Sequence, residues 1–173
     1  MQELKILKSE AVPAALEKAK WYRLIGEPDD AGSICLDILA VNPKHQEALI
    51  TLLLALTDKF VAGALNPAFN QAKDIVTKLD SSYSKNYYLG IIFERRAKHH
   101  LKQGGPGVGA VAHHWFVKAM DAYSEALTDN DPKNQDALLR WNSCARILNN
   151  NPDVKADETG NGEMLLDSYE TPH

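Results

Sequence analysis

Cysteine is scarce, with only Cys35 and Cys144 among 173 residues. They lie far apart on apolar helical faces, so neither a disulfide framework nor a cysteine metal pair is expected, and both read as small buried thiols. Long apolar runs are missing as well: residues 48–56 form the longest, interrupted by Thr51, well short of the roughly 20 residues that cross a bilayer. The opening MQELKILKSE alternates charged and apolar residues without the apolar core or cleavage site of a secretory signal, so the expected location is cytoplasmic. There is no basic surplus either. The net charge is −4, and Asp153, Asp157, Glu158, Glu163, Asp167 and Glu170 face only Lys155 in residues 150–173, which leaves the rest of the chain near neutral. Nucleic acid needs a concentrated basic face, so neither nucleic acid nor a membrane is an expected partner.

Catalytic patterns are also absent. The glycine-rich GGPGVG at residues 104–109 follows no strand and carries none of the lysine and hydroxyl residues of a phosphate-cradling loop. Ser124, Ser143 and Cys144 sit inside helical stretches with no base at a recognisable spacing, and Asp121 and Glu125 fall on solvated faces. No enzyme activity and no cofactor is expected.

What the chain does have is helical periodicity. A composition of 45% hydrophobic and 24% charged residues is enough for a packed core without staples. The first ten residues extend or precede a helix, with Leu4 and Leu7 as anchors, and Pro13 suits a first helical turn. From residue 14, Leu16, Ala19, Tyr22 and Leu24 or Ile25 recur at three- and four-residue steps until Gly26 and Pro28 break the helix. A second helix presents Ala31, Ile34 or Cys35, Ile38 and Leu39 on one face and ends at Asn42-Pro43. The pair is a helical hairpin.

The spacing repeats. Lys44-His45-Gln46-Glu47-Ala48-Leu49 opens a helix carrying Leu49, Leu52, Leu53 and Leu56, and residues 62–67 form a lengthened turn. A partner helix over about 67–79 places Ala72, Val76 and Leu79 in the spacing of Ala31, Cys35 and Ile38. A longer helix over about 85–103 holds Leu89-Gly90 and Phe93. After the 104–109 turn, a helix over about 110–127 carries Ala119, Tyr123, Ala126 and Leu127 before Asp131-Pro132. Lys133-Asn134-Gln135-Asp136-Ala137-Leu138 then opens a last helix with Leu138, Trp141, Ala145 and Leu148.

Small residue, aromatic three later, alanine, aromatic and closing proline, here Ala19, Tyr22, Ala31, Cys35 and Pro43, resembles the tetratricopeptide repeat (TPR). Lys18 and Cys35 depart from the usual leucine and large aromatic. The resemblance implies an all-α protein: a right-handed α-solenoid of about three TPR-like hairpins plus a C-terminal capping helix over residues 12–149, with an N-terminal extension at 1–11 and an acidic tail at 150–173. It further implies a protein-protein interaction module whose concave groove, lined by the first helix of each hairpin, takes a peptide or protein segment. Register puts Leu16, Lys20, Arg23, Ile50, Leu54, Tyr87, Tyr88, Ile91, Arg95, Leu139, Arg140 and Arg146 at that groove, the arginines favouring an acidic partner. Leu16 and Thr51 stand where a carboxylate-clamping TPR would need lysine and asparagine, so a chaperone-tail receptor is disfavoured.

Two alternatives remain. The acidic tail, with an apolar patch at Met164-Leu165-Leu166 and Tyr169, could dock in its own groove or in a neighbour's within a homodimer. His99-His100 and His113-His114 flank the glycine-rich turn and could meet across a hairpin as metal ligands, although neighbours on a helix point about 100° apart. Solvated or core-edge histidines are the simpler reading.

Overall fold

In a computed structural model, residues 2–62, 65–128 and 131–157 are described. They form seven α-helices and, among the described residues, no strand. The chain divides into two compact units, Met1–Asp80 and Ser81–His173.

Unit 1 contains α1 (Val12–Leu24), α2 (Pro28–Val41), α3 (Gln46–Asp58) and α4 (Leu65–Thr77). Each packs against the next, and α1 also meets α3. Short-range chemistry sets the breaks. Gly26 takes φ 85° just past α1, a left-handed position where glycine carries no Cβ penalty. Pro28 then opens α2, with Asp29 and Asp30 in its first turn, where carboxylates complement the helix dipole. Asn42 is extended (φ −133°, ψ 91°) because the proline after it disfavours a helical conformation.

Unit 2 contains α5 (Ser82–Gln103), α6 (Val108–Leu127) and α7 (Asp136–Asn150), with α5 packed on α6 and α6 on α7. The Ser81 side chain accepts the Ser84 N–H at 3.0 Å, an N-cap that starts α5 three residues earlier than periodicity indicated. Gly104, Gly105 and Gly107 all have positive φ. Gly107 completes the reversal in one residue, so α6 begins at Val108 rather than near Ala110.

The turn that opens α3 is repeated at α7. Asn42 Oδ1 accepts the Lys44 N–H at 3.2 Å, and Asp131 Oδ1 accepts the Lys133 N–H at 2.9 Å. In each case the backbone carbonyl of the same residue also accepts the N–H three residues on, from His45 and Asn134, both at 3.1 Å. These are Asx turns set up by Asx-Pro. Gln46 then joins the start of α3 to the segment after α4: its Oε1 accepts the Asp80 N–H at 3.0 Å.

The positions that repeat in sequence are interior. Ala19, Ala31, Cys35, Ile38, Ala72, Ala119 and Tyr123 are fully buried, and Val76, Leu79, Gly90 and Ala126 nearly so. Small residues recur because helices cross closely there. The N-terminus differs from expectation at one residue. Leu7 packs against the cluster of Val12, Leu16, Ile38 and Ala48, whereas Leu4 is 89% exposed and anchors nothing, because the chain before Ser9 forms no helix that would bring positions 4 and 7 to one side.

Ile38 and Leu36 share α2 but face opposite ways, which predicts a contrast. Ile38→Ala should lower the unfolding free energy by about 2–5 kcal/mol through transfer and cavity terms. Leu36→Ala should change it by no more than about 0.5 kcal/mol. Urea denaturation of both variants checks this.

Candidate functional site

On unit 1, both cations expected to line a groove are bonded across α1 and α3. Lys20 Nζ pairs with Glu17 at 3.0 Å and with Glu47 at 2.8 Å. The hydrogen bonds it donates to Glu47 and Glu17 raise the Lys20 ammonium above its usual value. Arg23 Nε lies 2.7 Å from Asp58 Oδ2. Ile50 and Leu54 are half-buried on α3. Leu16 belongs to the core of unit 1, so it cannot meet a ligand; the helical period that puts it near the groove also puts it against Ile38.

A second feature of unit 1 is a trough of about 460 Å³ bounded by α2, α3 and α4. Each helix lends it one stripe: Asp29, Gly32 and Leu36 from α2; Leu52 and Leu56 from α3, with Lys59 just past its end; Gln71, Asp74 and Ile75 from α4, with Lys78 just past its end. Lys59 Nζ pairs with Asp29 at 2.6 Å at one end.

On unit 2, one of the expected residues, Arg140, reaches a buried carboxylate, and Tyr87 is joined to it through Arg140. Glu94, 1% exposed on α5, accepts a hydrogen bond from Lys98 one turn on and one from Tyr123 Oη of α6 at 2.6 Å. Arg140 Nη1 of α7 reaches both Glu94 oxygens at 3.1 and 3.3 Å. Arg140 Nε also donates to Tyr87 Oη at 3.3 Å. Burial alone would push the Glu94 carboxyl up; the bonds from Lys98 and Tyr123 and the charges of Lys98 and Arg140 outweigh it and hold the carboxyl below its usual range. Burial, reinforced by the Glu94 charge, pushes the Tyr123 phenol up. Burial would lower the Arg140 guanidinium, but the Glu94 charge more than compensates and raises it.

Gly90 makes this geometry possible: a Cβ there would lie 2.4 Å from Tyr123 Cε1, so the ring crosses α5 where only glycine leaves room. Around the carboxylate, Tyr83 and Tyr87 stack at 5.6 Å and Tyr88 meets Tyr87 edge-on at 5.1 Å. Tyr83 Oη donates to Asn134 Oδ1 at 3.0 Å, joining the start of α5 to the turn before α7. Ile91 is buried and serves packing rather than contact. Arg95 is half-buried, while Leu139 and Arg146 are exposed on α7. Sequence reasoning missed Glu94 as the acceptor shared by Arg140 and Tyr123; the available signals were Glu94-Lys98 at i, i+4 and a glycine opposite a tyrosine.

The histidine pairs divide. His100 is buried and His99, His113 and His114 are half-buried. Among the described residues no group of three or more histidine, cysteine, aspartate or glutamate side chains could hold a metal. Arg96, buried beside them, lies with its guanidinium 4.4 Å from the Trp115 ring centroid. Burial raises the Cys35 thiol to about 11, and burial with the Glu94 charge raises that of Cys144 to about 12, so both stay protonated and unreactive at neutral pH. Within the described residues no helix is long and apolar enough to cross a membrane. The tail beyond Asp157, including Met164 to Leu166 and Tyr169, lies outside the described residues.

Compared with protein families, curated proteins and solved structures, the chain finds no match in any of the three.

His100 generates a pH prediction. Burial, with Arg96 and His99 nearby, lowers its imidazole to about 4, against about 6.5 in the unfolded chain. The unfolded state therefore binds the extra proton first, and stability falls as pH drops from about 6.5 towards 4. Unfolding free energies measured across that window should decline by about 1–3 kcal/mol from this group, and His100→Gln should flatten the decline.

Proposed function

We propose that the chain is a TPR-like α-solenoid module of three hairpins and a closing helix, and that it binds a segment of another protein rather than catalysing a reaction. Repetition supports the first part: two Asx-Pro turns of the same hydrogen bonding, and buried small residues at the repeating positions.

The observation that carries the binding role is the outer face of α7. Leu139 is 61% exposed there, and Arg146, seven residues on, shares its side of the helix and is also exposed. A leucine so placed adds nothing to the core, while an apolar anchor beside an arginine is what a protein interface uses. The tyrosines of α5 add half-buried aromatic area, already ordered by stacking and by the Arg140 bond, so little entropy is lost when a partner covers them.

Preference for an acidic segment rests on Arg146, exposed on α7. Arg140 and Lys20, by contrast, neutralise carboxylates of this chain. That separation determines the test. Leu139→Glu and Arg146→Glu, each at an exposed position, should leave thermal unfolding unchanged and weaken a partner captured by photo-crosslinking at residue 142 by tenfold or more. Capture that both variants leave unaltered would remove α7 from the binding face.

A further inference from the structure

The N-terminal arm and the trough of unit 1 have matching chemistry. Residues 2–8 form no helix, and Lys8 is extended (φ −78°, ψ 141°). Leu7 holds the root of the arm against Val12, Leu16, Ile38 and Ala48. Beyond that root, Leu4 and Ile6 are 89% and 90% exposed, which is costly for two large aliphatic side chains only two residues apart. Docked in extended form, the arm would turn Leu4 and Ile6 to one side and Lys5 to the other, because alternate residues of an extended chain share a face.

The trough offers the complementary surface. Its floor is apolar (Leu52, Leu56 and Ile75), and Gly32 lines it without a side chain. A Cβ at Gly32 would make ordinary contact with Leu52 at 3.6 Å, so the trough narrows there without a clash. Leu36, 59% exposed, stands on its wall with nothing of its own unit over it. Its volume of about 460 Å³ is ample for a leucine and an isoleucine side chain. The charges match too: Asp74 and Lys78 stand exposed on the α4 wall, while Lys5 and Glu3 flank Leu4 on the arm.

We propose that the arm of one chain occupies the trough of a second copy, with Leu4 and Ile6 on the Leu52, Leu56 and Ile75 floor and Lys5 and Glu3 against Asp74 and Lys78. Exchange is reciprocal in a two-fold dimer, so both arms contribute to one interface. A second copy is the occupant because the arm of each chain leaves its own apolar edge in solvent. This inference does not depend on the α7 binding face.

Concentration-dependent mass tests the proposal, since the chain weighs 19.2 kDa. Sedimentation equilibrium of the full chain should show reversible dimers. The double variant Leu4→Asp, Ile6→Asp and the single variant Leu36→Asp should each raise the dimer dissociation constant tenfold or more; all three sites are exposed, so folding is preserved. Ile6→Cys chains mixed with Leu36→Cys chains should form a mixed disulfide under mild oxidation, as the native cysteines are buried. A mass that stays monomeric at all concentrations overturns the proposal. So does a dimer indifferent to either variant, or a doubly substituted Ile6→Cys, Leu36→Cys chain that closes only within itself at concentrations where the unsubstituted chain is dimeric.

Discussion

The arrangement of unit 2 depends on one desolvated carboxylate. Glu94 is buried where three helices come together, and an ionised group there is tolerable only if its lone pairs are filled. Lys98 from its own helix, Tyr123 from α6 and Arg140 from α7 fill them, so each helix is tied to the others through a single pair of oxygens. The consequence spreads outward. Tyr123 can reach the carboxylate only because Gly90 lets its ring cross α5, and Arg140, once fixed, orients Tyr87 and through it the tyrosine stack. An apolar core would hold the helices together but would leave their rotation free; the hydrogen-bonded carboxylate specifies it.

Unit 1 uses weaker electrostatics and more repetition. Its helices meet through alanine, leucine and a buried cysteine; of its ion pairs, Lys20 with Glu47 lies exposed, where solvent screens it, and Arg23 with Asp58 is half-buried. Register there comes from turns instead. Asx-Pro fixes the entry to α3, and Gln46 fastens that entry to the end of α4. The two units thus solve one problem, how to orient stacked helices, by different chemistry.

Much of this was legible in the sequence. Periods of three and four located all seven helices to within a few residues, because amphipathic spacing is a direct record of burial. The small residues Ala19, Ala31, Ala72 and Ala119 marked the close crossings. Pairing between distant polar side chains was not legible. Nothing local distinguishes Arg140, held by Glu94, from the exposed Arg146 six residues on, since the difference lies in which helix stands opposite. Leu4 misled for a related reason: leucines at three-residue spacing imply a common face only where the chain is helical, and before Ser9 it is not.

The most direct test is a double-mutant cycle on Glu94→Gln and Arg140→Met, read by urea denaturation of the full chain. If the carboxylate organises unit 2, the two losses will fall short of additivity by about 1–3 kcal/mol, and Glu94→Gln will be the more destabilising single change because it removes the shared negative charge and replaces one acceptor oxygen with a donor. Additive losses, with no coupling between the two positions, would contradict the account.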